Sequence, residues 1–172
     1  MKISFDAIVE PGLNLEIHDT EWFPEDDCSR VGPVQAKLFL TRQNRRVFLE
    51  GRLNFTCRFA CDSCLELYEE VQDFFFKIEF ECLAASDPYW QSEEHQCPQA
   101  DMDVEFLHEP EIDIHAMLSQ QVILSVPAKR LCSQSCRGLC PSCGCNLNKE
   151  KCSCPTLEPN SPFQVLAQLK EK

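Results

Sequence analysis

A chain of 172 residues with a formal net charge of −12 can bury one hydrophobic core of ordinary size but not two full ones. The negative total excludes long-range attraction of polyanions by the molecule as a whole, and the five glycines form no glycine-rich phosphate loop. A membrane helix needs about 20 consecutive apolar residues; even Phe74-Phe75-Phe76 is bracketed by Asp73 and Lys77, so no membrane partner is expected.

Charge is blocked along the chain. Residues 1–27 sum to −7, 28–61 to +6, 62–113 to −15 and 114–172 to +4, a pattern able to create local fields of opposite sign on one surface or simply to neutralise itself. The first residues, Met1 to Ala7, lack the apolar core of a secretory signal, with Asp6 and Glu10 inside that window. The expectation is a cytoplasmic protein with reduced thiols.

The first half alternates with period two. Ile3, Phe5 and Ala7, then Leu13, Leu15 and Ile17, then Val34 to Leu40, then Val47 to Phe55 read as half-buried strands. Arg42-Gln43-Asn44-Arg45 is a plausible hairpin connection between the last two. A Cys61-Asp62-Ser63-Cys64 step precedes a further run from Phe74 to Cys82. Residues 83–110 hold three prolines among many acids and read as a long acidic loop; His95 and Cys97 within it are taken as solvated. The period then changes. Asp113 is a fair N-cap, and Ile114, Met117, Leu118, Val122 and Ser125 share one helical face before Pro127. Ser161-Pro162 opens a last helix with Phe163, Leu166 and Ala167 on its apolar face. It is too short to be stable undocked.

The expected fold is α+β: a mostly antiparallel sheet or partly open barrel with two or three helices and a C-terminal cysteine-rich zinc module. Residues 1–127 form the strand-rich body, with the acidic loop at 83–110 and a helix near 113–125. Residues 128–156 form the zinc module and 157–172 the docking helix.

Seven of the thirteen cysteines fall in one window: Cys132, Cys136, Cys140, Cys143, Cys145, Cys152 and Cys154. Metal sites need several soft, deprotonated ligands gathered by tight turns, and Cys140-Pro141-Ser142-Cys143-Gly144 supplies such a turn. A disulfide framework is the competing reading, and a reducing compartment disfavours it. Cys57 and Cys82, on apolar runs, read as buried spectator thiols, and Cys28 has no motif partner. The four histidines, His18, His95, His108 and His115, are scattered without a metalloprotease spacing. No enzyme is expected.

The ordered set of motifs resembles one family. Cys61 to Glu66 (C-x-x-C-L-E), an acidic loop, Glu111-Ile112-Asp113-Ile114, Leu124-Ser125-Val126-Pro127, Cys136-Arg137-Gly138-Leu139-Cys140-Pro141-Ser142-Cys143-Gly144 and Cys152-Ser153-Cys154 are similar to the YceD family of large ribosomal RNA subunit accumulation proteins, over roughly residues 30–169. The resemblance implies a non-catalytic ribosome biogenesis factor supporting accumulation or processing of large-subunit ribosomal RNA. Cys145 departs from the family pattern and is left out of the ligand set, as is Cys57.

Eight candidate ligands remain: Cys61, Cys64, Cys132, Cys136, Cys140, Cys143, Cys152 and Cys154. They suffice for one or two structural zinc ions. Cys140 and Cys143 with Cys152 and Cys154 would make one site, and Cys61 and Cys64 with Cys132 and Cys136 the other. The alternative groups Cys132, Cys136, Cys140 and Cys143, and leaves Cys152 and Cys154 to meet Cys61 and Cys64. A closed four-thiolate shell has no place for a catalytic water.

Partners follow from local charge. Arg42, Arg45, Arg46, Arg52 and Arg58 near the central hairpin, and Lys129, Arg130, Arg137, Lys149 and Lys151 around the cysteines, are the candidate contacts to a large-subunit ribosomal RNA precursor through its phosphates. Stacking aromatics are not visibly interleaved with them. The −15 segment could instead engage a basic large-subunit ribosomal protein. A thiol redox or metal-responsive switch is the alternative function.

Overall fold

Strict alternation of apolar and polar residues produces long strands with one buried face. In the computed structural model, which describes residues 1–26, 28–83 and 104–154, β1 is Lys2–Ser4, β2 Leu13–Ile17, β3 Ser29–Gln43, β4 Arg46–Ala60, β5 Leu67–Cys82, β6 Val104–Leu107 and β7 Glu111–Asp113, followed by the helix α1, Ile114–Ser125. Five strands form one sheet in the order β2-β3-β4-β5-β6; β1 and β7 form an antiparallel pair.

Pairing is antiparallel between β2 and β3 and between β3 and β4, and parallel between β5 and β6. The β3–β4 hairpin turns through Asn44 and Arg45 alone, with Asn44 in the left-handed region at φ 56°, a conformation asparagine tolerates better than most side chains. Its register breaks between Val31 and Gln35. Pro33 lies there and has no N–H to donate to the ladder.

One face of the sheet is dry. Ala36, Leu38, Leu40, Val47, Leu49, Leu53, Phe55 and Phe80 are buried in one cluster with Ile114, Met117, Leu118 and Val122 of α1. Gly51 is required here, since a Cβ would overlap the Phe76 ring. The helix starts where the sequence places its cap: an Asp113 carboxylate oxygen accepts from the N–H groups of His115 and Ala116 at 3.1 and 3.2 Å. Those bonds, with Ala116 foremost, hold the Asp113 carboxyl below its ordinary range.

Several expectations change. Phe5–Ala7 is a 3₁₀ turn rather than a continuation of β1, and the acidic stretch 83–110 contains β6 at Val104–Leu107. Neutral Val104, Phe106 and Leu107 give that strand a sheet edge to join despite the acidic surroundings. Among the described residues there is one α-helix, not two or three. The helix expected over 157–172, and His95 and Cys97, lie outside the described residues. Cys57 is no spectator thiol: Cys28 and Cys57 are joined as a disulfide with Cα atoms 6.0 Å apart. Both lie in the core, at 2% and 0% exposure, where nothing in their spacing signals a pair.

Two compact units divide the chain. Residues 1–59 and 67–128 form the body, and Ala60–Glu66 groups with the residues from Lys129 onward.

Candidate metal centre

The second unit is built around sulfur. After β4 the chain makes a knuckle in which the Cys61 N–H donates to the Glu66 carbonyl and the Leu65 N–H to the Cys61 carbonyl, both at 2.9 Å, with Leu65 at φ 61°. This turn brings Cys61 and Cys64 to one side. The Asp62 N–H donates to the Arg130 carbonyl at 2.8 Å, and the Arg130 N–H returns to the Asp62 carboxylate at 2.7 Å. That reciprocal pair delivers Cys132 and Cys136 to the knuckle.

The four thiols of Cys61, Cys64, Cys132 and Cys136 all lie within 4.8 Å of one another, with Cys61 to Cys136 at 3.7 Å and Cys64 to Cys132 at 3.6 Å. A tetrahedral ion with metal–sulfur bonds of about 2.3 Å separates its sulfurs by about 3.8 Å. The donor set therefore fits zinc in chemistry and in size. Backbone N–H groups point at these sulfurs, and their effect is uneven: the Cys132 N–H foremost lowers the Cys61 thiol to about 6, while the adjoining Cys64 thiol pushes Cys132 up to about 12.

Gly138 lets the residues that follow it approach the knuckle. At φ 72° it occupies backbone space that other residues rarely adopt, and a Cβ there would stand 2.9 Å from the Ser63 carbonyl oxygen. Beside it the Leu139 N–H donates to that same carbonyl at 3.0 Å, and the Leu147 N–H to the Gly138 carbonyl at 2.9 Å. Asn148 completes the surround. Its Oδ1 accepts from the Arg137 N–H at 2.8 Å and its Nδ2 donates to the Cys136 sulfur at 3.3 Å. Lys149 and Asn146 both reach the Glu66 carboxylate, at 2.7 and 3.3 Å, and Lys149 foremost keeps that carboxyl below its usual range.

A second group follows at once. Cys140, Cys143, Cys145 and Cys152 have sulfurs within 4.8 Å of one another, with Cys152 3.4 Å from both Cys140 and Cys143. The turn predicted at Pro141 and Gly144 supplies the geometry: the Gly144 N–H closes on the Cys140 carbonyl at 2.9 Å, and the Ser142 N–H points at the Cys140 sulfur at 3.4 Å. Backbone N–H groups, that of Cys143 first, lower the Cys140 thiol to about 6. Cys61, Cys64, Cys132 and Cys136 are gathered together as in the first of the two pairings, whereas the second cluster holds Cys145 where that pairing put Cys154. Cys145, left out of the set, is inside the second cluster. Cys154 sits against it, its N–H on the Cys152 sulfur at 3.3 Å.

The candidate RNA contacts divide sharply. Arg42 is held by Asp6 at 2.6 Å, Arg46 by Glu79 and Glu81, Arg52 by a two-pronged bond to Asp73 at 2.8 and 2.7 Å, and Arg58 by Glu69 at 2.8 Å. Arg45 bonds the Cys82 carbonyl. Arg130 and Lys149 pair with Asp62 and Glu66. Lys129, Arg137 and Lys151 are exposed and form no ion pair among the described residues. One of these candidate cations does lie beside an aromatic: Phe75, 74% exposed on β5, sits under Arg52 at 4.8 Å. Sequence spacing hides this pair because it forms across strands. Asn148 is likewise silent in the sequence, where a polar residue among cysteines gives no sign of a bond to sulfur.

A β-rich body joined to a unit with two thiol clusters of metal-binding geometry defines the class. Residues 49–170 match the model of the family described as large ribosomal RNA subunit accumulation protein YceD, and the chain belongs to that family. It is 27% identical over 162 residues to the chloroplastic large ribosomal RNA subunit accumulation protein YCED homolog 1 of Arabidopsis thaliana, covering 81% of this chain and 49% of that protein. The homolog 1 of Zea mays is 27% identical over 146 residues, covering 71% and 48%. The chain therefore spans about half the length of these curated relatives. No solved structure matches it.

Proposed function

We propose that this chain is a non-catalytic ribosome biogenesis factor that supports accumulation or processing of large-subunit ribosomal RNA, with a zinc-folded module as its RNA-contacting part. The pair of four-sulfur clusters is the observation that carries this reading, combined with membership of a family named for ribosomal RNA accumulation. Zinc bound there supplies fold and orientation. Closed thiolate shells offer no open coordination position for a water nucleophile. The chain's own part is to present Lys129, Arg137 and Lys151, free of ion pairs among the described residues, to phosphates. The hairpin arginines are a weaker RNA surface, because carboxylates already offset most of them.

A basic large-subunit ribosomal protein remains the second partner. The excess of acids over residues 62–113, sixteen against one lysine, favours it through charge complementarity and a fast, salt-sensitive encounter.

The test is genetic and quantitative. Removing the gene from its host should lower large-subunit relative to small-subunit ribosomal RNA, and the wild-type gene should restore the ratio while a Cys61→Ser, Cys140→Ser double variant should not. An unchanged ratio on removal would contradict the proposed role.

A further inference from the structure

The second cluster holds more sulfur than one tetrahedral ion can use. Cys140, Cys143, Cys145 and Cys152 already form a set of four within 4.8 Å, and Cys154 lies beside them, its N–H on the Cys152 sulfur at 3.3 Å. Cys145 and Cys154 thus both adjoin Cys152, and both are partly exposed. The first cluster has no such surplus among the described residues: its four sulfurs are Cys61, Cys64, Cys132 and Cys136, and Asn148 rather than another thiol occupies the flank of Cys136.

The geometry points to a five-sulfur site at which Cys145 and Cys154 alternate as the fourth ligand of a single zinc ion held by Cys140, Cys143 and Cys152. This inference rests on the zinc reading of the module. The structure gathers the set with Cys145 and holds Cys154 next to Cys152; with either as the fourth thiolate the shell would be tetrahedral, so the exchange would replace one zinc–sulfur bond by another. The incoming thiol gives up its proton as the outgoing thiolate takes one, and charge and coordination number stay constant. The site is then exchangeable in its ligands, and the first is fixed.

The experiment uses the full chain purified with zinc, in four forms: wild type, Cys145→Ser, Cys154→Ser and the double variant. Zinc per chain is measured by elemental analysis, and protected thiols are mapped by brief alkylation and peptide mass spectrometry. In the wild type, alkylation should divide between Cys145 and Cys154 and sum to about one thiol per chain. Each single variant should keep the wild-type zinc content, with the remaining cysteine of the pair protected. The double variant should lose one ion while Cys61 and Cys64 stay protected, showing that the module still folds at its first site. A wild type in which one of the pair is wholly protected and the other wholly reactive, with zinc retained by only one single variant, overturns the inference and leaves the structural-zinc reading standing. Absence of zinc from the wild type overturns both.

Discussion

The sulfurs of Cys61 and Cys136 stand 3.7 Å apart although 75 residues separate them along the chain. Closing so long a connection costs conformational entropy that the few apolar side chains of the module offset poorly. An ion bound between the two segments would supply the difference, because binding to a site that exists only in the folded state is itself folding free energy, about 10–16 kcal/mol for structural zinc in small domains. Metal removal should therefore unfold the module while the body persists. Hydrogen exchange before and after chelation should show protection lost at 60–66 and 129–154 and kept along β3 and β4.

Asn148 holds the Cys136 sulfur from outside the first cluster. Its Nδ2–H bond to the Cys136 sulfur, together with its grip on the Arg137 N–H, places it among the outer groups that orient ligands. Asn148→Ala should weaken zinc binding at the first cluster by about 10–100-fold, read by competition with a chromophoric chelator, with the second cluster unaffected.

Gly138→Ala tests the close approach of the chain to the Ser63 carbonyl. A left-handed φ costs a side-chain-bearing residue about 1–2 kcal/mol, and the added Cβ would press on Ser63 besides. The variant should lower the denaturation midpoint of the zinc-loaded module. The disulfide-linked core of the body, which contains neither residue, should unfold as before.

RNA binding should follow the cations that lack ion pairs among the described residues. Arg137→Ala and Lys151→Ala should each weaken binding to large-subunit ribosomal RNA. Each should also flatten the slope of log affinity against log salt, by about 0.7 for every single-strand phosphate that is no longer neutralised. Arg52→Ala and Arg58→Ala remove exposed cross-strand ion pairs. They should leave RNA affinity unchanged and shift stability little, because exposed ion pairs contribute weakly. Filter binding across a salt series separates the two sets.

Asp113→Ala should destabilise the body by about 1 kcal/mol through loss of the α1 cap. The folded carboxyl titrates below its unfolded value, so its contribution is complete above the unfolded pKa of about 3.9 and disappears as pH falls through the lower folded value. The stability gap between wild type and variant should accordingly be constant at neutral pH and close in acid, as measured by thermal unfolding.

Strands and helix are readable from side-chain period alone where one face meets the core. Val34 to Leu40 and Val47 to Phe55 alternate along their strands, and α1 begins at its expected Asp113 cap. Strand β6 is hidden because Val104–Leu107 is four residues with one acid inside it, and only the neighbouring β5 gives those residues a partner. The pairing of Cys28 with Cys57 is hidden for a similar reason, since strand geometry and not spacing brings them together. The cysteine motifs name the ligand candidates, but only the turn geometry distinguishes the two groupings and brings Cys145 in. Cross-strand carboxylates, invisible in a linear reading, remove most of the hairpin arginines from the set of free cations.

The most direct test of the central claim is the zinc content of protein purified without chelator, by elemental analysis, with a count of reactive thiols on the same sample. The account predicts about two zinc ions per chain, one for each sulfur cluster, with the cluster cysteines largely protected. Metal-free protein, with disulfides inside the clusters or freely reactive cluster thiols, would contradict it.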